Sequence, residues 1–479
     1  MIKTLISKYN ALSKPVKASI WFTICNIIQR GFQFLSMPIY TRFMSQEEYG
    51  TYSVFLSWFN IICIFTSLNI YAGVYNKAMI KYQDQRKEYT SAVQTLTCCT
   101  TLVISLPLIL SREIISELTG FSNNVILLMT IHLMCFPMLQ YWSQEQRFKF
   151  EYRNMIIVTL LSSGLTFVLG ILTVTFSEEK SLILIAVTVF VQGIICFPIG
   201  FNIWRKGKIL YNLKFWKWSI TMAIPLIPHY LSEVLLAHSD RLMIDYMCGS
   251  DKAGIYNIVY QISMVMTIIR TGINGAFAPW LYSAIKKKEY SSIRSTINLL
   301  AIFMASLSLV FMLLGPEILM IIAPSSYYEA VIDIPSIMVG GFYIFVYVLF
   351  VYVEIYYERN QYVALASIVA ACTNIVLNVV CINKFGYLVA GYTTMISYGL
   401  MAILHLYFLH KIAKNNEEIL QFFNFKVLGS ISLGFLVVIP FMLILYEFWL
   451  FRIIIFILIC IILIRNYNKF LDVLKQLRG

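Results

Sequence analysis

Charge is what this chain has least of: only 13% of its 479 residues are Asp, Glu, Lys or Arg, and the 24 acidic residues are outnumbered by 37 basic ones. A soluble domain usually devotes about a quarter of its residues to charge, so an ordinary water-facing surface is excluded. Histidine occurs five times and never in a cluster, and the ten cysteines stand singly or as the pair Cys98-Cys99, with no C-x-x-C spacing. That pattern excludes a zinc site and a disulfide framework, and it calls for no metal or cofactor. There is no G-x-S-x-G, H-E-x-x-H or P-loop, and no polar loop exceeds about 20 residues. A membrane enzyme would need a clustered catalytic set or an extended extramembrane loop, so these absences argue against enzymatic activity. The basic residues are scattered over short segments and form no continuous surface, which excludes nucleic-acid binding.

What the chain has instead is apolar length. Hydrophobic residues make up 59% of it and mean hydropathy is +0.74, the composition of an all-α polytopic membrane protein. Windows of about 20 residues predict fourteen transmembrane helices, since hydrocarbon requires each segment to satisfy its own backbone. They fall near 19–41, 51–72, 90–110, 122–143, 155–176, 182–204, 218–239, 254–282, 293–315, 334–357, 361–383, 387–410, 427–446 and 448–464.

Positive charge supports that number. With the N-terminus cytoplasmic, 28 of the 37 Lys and Arg fall in the two tails and the inner loops. Seven fall on the outer side (Arg42, Arg112, Lys180, Arg241, Lys252, Lys384 and Arg452), and two, Arg30 and Arg270, lie near the middle of predicted spans. Both termini are therefore expected in the cytoplasm of a multi-pass plasma-membrane protein. Lys3, Lys8, Lys14 and Lys17 precede a full-length first span without a cleavage pattern, so the first helix is expected to remain as an uncleaved insertion signal.

The chain repeats itself at an offset of 204 residues. Met44-Ser45-Gln46-Glu47-Glu48-Tyr49-Gly50-Thr51-Tyr52 has a counterpart in Cys248-Gly249-Ser250-Asp251-Lys252-Ala253-Gly254-Ile255-Tyr256, each a polar turn leading into Gly-x-Tyr. The same offset pairs Glu113 with Glu317 and Gln29 with Glu233. Two six-helix lobes in parallel repeat are predicted, 1–212 and 213–415, followed by two extra helices and a tail in 416–479.

An ionised side chain inside a span must face protein or an aqueous cavity. Arg30 shares a helix face with Asn26 and Gln33, beside Gln29, and Arg270 shares one with Ser263, Thr267 and Asn274. Two guanidiniums at mid-membrane depth predict a cavity for an anion. Ser53, Ser57, Asn60 and Ser67 form another polar stripe. The seventh span carries His229, Glu233 and Asp240 on one face, beside Pro225 and Pro228, whose missing amide donors predict a kink able to act as a hinge. Glu233, His229 and Glu354 are candidates for carrying a coupling proton. Alternatively, Arg30 and Arg270 pair with Glu233 or Glu354 as structural ion pairs. Asp240 and Arg241 read as a surface pair near the outer face. Tyr343, Tyr347, Phe350 and Glu354 share a face whose rings suit either sugar or packing. His132 reads as a satisfied interior residue.

Three segments carry a resemblance: PIYTRFMSQEEYGTYSVF (38–55), IPLIPHYLSEVLLAHSDRLMI (224–244) and GPEILMIIAPSSYYEAVIDIPSIMVGGF (315–342). They resemble the polysaccharide-biosynthesis branch of the multidrug/oligosaccharidyl-lipid/polysaccharide (MOP) exporter superfamily, in particular the O-antigen flippases. That resemblance implies an inner-membrane flippase of lipopolysaccharide biosynthesis. Such a protein moves an undecaprenyl-pyrophosphate-linked O-antigen repeat unit from the cytoplasmic to the periplasmic leaflet by alternating access. It also implies contact with membrane lipid and partnership with O-antigen polymerase and glycosyltransferases. A monomer is expected as the transporting unit, since two lobes can form a complete pathway alone. The coupling ion stays open between proton, sodium and membrane potential alone. The alternatives are a cation-coupled multidrug exporter of the same superfamily, expected to have twelve spans and an acidic cavity, and a membrane glycan polymerase or acyltransferase.

Overall fold

The computed structural model describes residues 13–467 and Leu471. Lys3, Lys8 and the tail beyond Leu471 lie outside the described residues. Among the described residues there are only helices, turns and bends. Fourteen are long: α1 Lys14–Phe43, α2 Gln46–Ser67, α3 Arg86–Leu110, α4 Asn123–Phe148, α5 Tyr152–Phe176, α6 Lys180–Gly207, α7 Leu213–Ala223 continuing as Ile227–Cys248, α8 Ser250–Ile262 continuing as Met264–Lys286, α9 Tyr290–Leu313, α10 Ile334–Tyr356, α11 Asn360–Phe385, α12 Ala390–Ala413, α13 Phe425–Leu445 and α14 Trp449–Arg465. Eleven of them are long and apolar enough to cross a membrane. The exceptions are α1 and α8, whose polar stripes lower their hydropathy, and the 17-residue α14.

By packing, the chain divides into two compact units, Met1–Gly254 and Ile255–Gly479. In the first, α1 lies on α5, α5 on α6, α6 on α4 and α3, and α2 on α3 and α7. In the second, α9 lies on α10, α10 on α12 and α12 on α11, with α13 and α14 against α9. The pairings α3–α4, α4–α6 and α5–α6 thus recur six helices later as α9–α10, α10–α12 and α11–α12. The repeat is visible in the packing. Helix α7 begins the second half of the sequence repeat, but it packs on α2 and so belongs to the first compact unit.

Hydrocarbon supplies no hydrophobic drive between helices, so small residues and interhelical hydrogen bonds hold them together. Helix α3 is stitched on three sides: the Tyr89 and Ser219 hydroxyls meet at 2.7 Å, Trp216 Nε1 donates to Ala92 O at 2.8 Å, Gln94 Nε2 donates to Gly200 O at 3.0 Å, and the Thr97 and Tyr141 hydroxyls meet at 2.8 Å. In the second unit Asn374 Nδ2 donates to Thr394 Oγ1 at 3.0 Å, and Asn378 bonds Thr393, joining α11 to α12.

The repeated motif explains itself at the α2–α8 crossing. Ser45 caps α2, its Oγ accepting from Glu48 N at 3.1 Å while its own N–H donates to Glu48 Oε2 at 2.8 Å. At the start of α8, Gly249 has φ +101°, which side-chain-bearing residues rarely adopt. Gly50 and Gly254 then meet: a Cβ on Gly50 would strike Ser250 O, and one on Gly254 would strike Gln46 O. Each copy of the glycine thus makes room for the backbone of the other helix.

Candidate functional site

On α1 one face packs and another does not. Phe32 meets Phe167 of α5 at 5.3 Å, and Trp21 stacks on Tyr152 at 6.3 Å. The opposite stripe leaves Gln29 and Gln33 exposed and Asn26 and Arg30 half-buried. Arg30 is therefore neither in the core nor fully open, and it shares its helix face with these amide-bearing residues.

The break in α7 follows from its two prolines. A 3-10 turn at Ile224–Leu226 separates Leu213–Ala223 from Ile227–Cys248, and Ser232 Oγ satisfies Pro228 O at 2.6 Å. Just after the break, His229 Nε2 and Glu233 Oε1 are 3.9 Å apart, with the Glu233 side chain half-exposed. Arg30, Asn26, Gln29, Gln33, His229 and Glu233 all belong to the first unit.

Arg270, Asn274, Tyr343, Tyr347 and Glu354 belong to the second. Arg270 is half-buried on α8, close enough to Tyr352 of α10 for an electrostatic interaction. Asn274 Oδ1, one turn on, is shielded from solvent and has no hydrogen-bond partner among the described residues. Tyr343 is buried, its hydroxyl donating to Ser432 O of α13 at 3.5 Å. Tyr347 stacks on Tyr398 and His405, and Phe350 meets Phe423 edge-on.

The Glu354 carboxylate is held by His405, whose Nδ1 lies 2.9 Å from Oε1 and 3.1 Å from Oε2, with both residues fully buried. The hydrogen bond between the carboxyl group and the imidazole offsets part of the cost of burying both between α10 and α12. His405 lies 51 residues from Glu354 with no local signal linking them, so sequence alone did not single it out.

Three expectations need correction. Asp240 and Arg241 are not a surface pair: they are 1% and 4% exposed, because α7 continues two turns further to Cys248 and packs against α2. Arg241 Nη1 lies 3.0 Å from His238 Nδ1 and also donates to Ala237 O. His132 is interior but not satisfied by hydrogen bonds: neither ring nitrogen has a partner among the described residues, and the ring is stacked on Phe59 at 3.9 Å. Arg452 is not in an outer loop. Arg452 lies in the first turn of α14, 4% exposed, its Nη1 and Nη2 each donating at 2.7 Å to Glu317 while Nη1 also donates to Leu313 O at 2.7 Å. The polar stripe of α2 faces protein, with Ser53, Ser57 and Ser67 buried and bonded to carbonyls of their own helix.

A multi-helix membrane fold with a broken seventh helix, an arginine-bearing first helix and an internal repeat defines the class of a polytopic membrane transporter. Among solved structures, the fold is similar to that of lipid II flippase MurJ in an inward closed conformation, at a TM-score of 0.71 and 13% identity over 94% of this chain and 100% of that one. It is also similar to an inward-facing multidrug resistance MATE family transporter of the MOP superfamily, at a TM-score of 0.61 and 11% identity over 82% and 97% of the two chains. Lsg locus protein 1 of Haemophilus influenzae is 22% identical over 284 residues, covering 58% of this chain and 68% of its own. The polysaccharide biosynthesis protein family model matches residues 16–285, and the chain belongs to that family.

Proposed function

We propose that this protein is a flippase for a lipid-linked oligosaccharide, carrying an undecaprenyl-pyrophosphate-linked O-antigen repeat unit from the cytoplasmic to the periplasmic leaflet of the inner membrane. The observation that carries this reading is the pair of half-buried arginines, Arg30 on α1 and Arg270 on α8, each within a polar helix stripe. An arginine at the centre of a spanning helix costs about 2.5–3.5 kcal/mol even on the lenient insertion scale, and an anionic cargo is what repays it. Membership of the polysaccharide biosynthesis family supports a glycan cargo, and the fold shared with a lipid II flippase supports a lipid-linked one.

In this reading two six-helix lobes, 1–212 and 213–415, alternate access around the arginines. The α7 break at Pro225 and Pro228 is the hinge. Asn26, Gln29 and Gln33 are the donors to an anion at Arg30, and Asn274 is the donor at Arg270. Outward movement of a pyrophosphate is favoured by about 2.3 kcal/mol per charge per 100 mV in an inside-negative cell. Glu233 with His229, and Glu354 with His405, are the groups placed to carry a coupling proton. Termini in the cytoplasm and a monomeric transporting unit complete the proposal, with glycosyltransferases and polymerase as the enzymes that supply and consume the cargo.

The test is complementation of a strain that makes the cognate unit and lacks its flippase. Restored polymer on lipopolysaccharide, lost with Arg30→Ala or Arg270→Ala at normal membrane levels, is the expected result. Full complementation by both variants overturns the arginine cavity. Raised resistance to cationic dyes without restored polymer favours a drug exporter instead.

A further inference from the structure

The second unit gathers a set of aromatic side chains next to Arg270 that no part of the reading above uses. Phe277 and Trp280 of α8 lie 5.8 Å apart, centroid to centroid, and Phe277 lies 6.2 Å from Tyr352 of α10. Tyr352 interacts electrostatically with both Tyr282 and Arg270, and Tyr282 lies 5.6 Å from Tyr356. The five rings therefore form one connected cluster spanning α8 and α10. Phe277 is fully buried and serves as its base, whereas Trp280, Tyr282, Tyr352 and Tyr356 are half-buried. Core aromatics of the same unit behave differently: Phe342 and Phe345 are fully buried, and Tyr343 is 9% exposed.

We propose that this cluster is the glycan subsite of the transporter, with Trp280, Tyr282, Tyr352 and Tyr356 holding the sugars whose pyrophosphate is bound at Arg270. The proposal rests on the flippase reading and assigns the other half of the cargo to named residues. Sugar rings present faces of C–H bonds, weakly positive, which suit the negative face of an aromatic ring, and their edges present hydroxyls. Half-exposed rings bearing phenol and indole N–H groups meet both needs at once, and a fully buried ring meets neither. The dimensions agree. Trp280 is ten residues beyond Arg270, about 15 Å along the helix at 1.5 Å per residue, a length that fits a pyrophosphate and the first sugars of a unit. Tyr352 and Tyr356 are four residues apart on α10 and so share its face. Asn274 Oδ1, without a hydrogen-bond partner among the described residues, lies along α8 between the arginine and the rings as an acceptor for a sugar hydroxyl.

Stacking of this kind tolerates different sugars, since it reads ring faces before hydroxyl pattern. The competing role for Trp and Tyr near helix ends is anchoring at the membrane interface, which has no preference for glycan.

The experiment compares the full-length protein, purified into lipid nanodiscs, for binding of undecaprenyl pyrophosphate and of the same lipid carrying galactose or N-acetylglucosamine. The glycan-bearing lipids are expected to bind about tenfold tighter than the bare lipid. Trp280→Leu and Tyr356→Leu are expected to bring that ratio close to one, while Tyr356→Phe, which keeps the ring, retains most of it. Glycan lipids that bind no tighter than the bare lipid overturn the subsite, as does a ratio that survives both Leu variants. Failure of wild-type protein to bind any of these lipids, bare lipid included, overturns the flippase reading itself.

Discussion

Arg452 shows at the scale of one residue how burial changes the meaning of a charge. Its guanidinium makes two hydrogen bonds to Glu317 and one to Leu313 O, and Glu317 is the repeat counterpart of Glu113, which is exposed. One carboxylate of the repeat has thus become the anchor for the extra C-terminal helix. Removing the carboxylate leaves an uncompensated buried cation. Because the Glu317 side chain is 41% exposed, Glu317→Ala is expected to cost about 1–3 kcal/mol, and Arg452→Met, which also removes the cation, distinctly less. Thermal unfolding in detergent checks the order, and the double variant should be more stable than Glu317→Ala alone. The sequence marks Arg30 and Arg270 because a charge inside an apolar run stands out against its neighbours. Arg241, Arg452 and His405 lack that contrast or lie far in sequence from their partners, so their burial is set by packing alone.

Among the elements, the α2–α8 crossing carries the repeat. Gly50 and Gly254 each lie against backbone of the other helix, where nothing can rotate out of the way. Gly50→Ala and Gly254→Ala are each expected to destabilise by roughly 1–3 kcal/mol. Because both act at one contact, the double variant should cost less than the two combined; strict additivity in a thermal-stability cycle would refute a shared crossing. The Gly-x-Tyr pattern was legible as a repeat, but the reason for the glycine was not, since a spacing in one dimension does not say which backbone will cross it. The α7 break was legible because a missing amide donor is a local property of proline.

For the whole molecule the measurable claim is parity. Fourteen spans place the Lys206 and Lys287 segments on one side of the membrane and the Glu178 segment on the other. Single cysteines at these positions, in a background with the exposed Cys99 and Cys372 replaced, should be labelled by a membrane-impermeant thiol reagent accordingly. Intact spheroplasts should label the Glu178 position only. Labelling of all three from one side would remove the fourteen-span arrangement and, with it, the placement of both arginines at mid-depth.

Apolar length, the alternation of basic loops, the proline break and the two mid-span arginines were determined by the sequence alone, because each is a local consequence of what a bilayer does to nearby residues. Which helices pair, that α7 packs on α2, that Tyr343 turns into the bundle while Tyr347, Trp280, Tyr282, Tyr352 and Tyr356 stay half-open, and that Glu354 meets His405 were decided only by the tertiary structure. The physical reason is that transmembrane helices are apolar on nearly every face. Periodicity, which in a soluble helix separates inside from outside, does not distinguish the face that meets protein from the face that meets lipid.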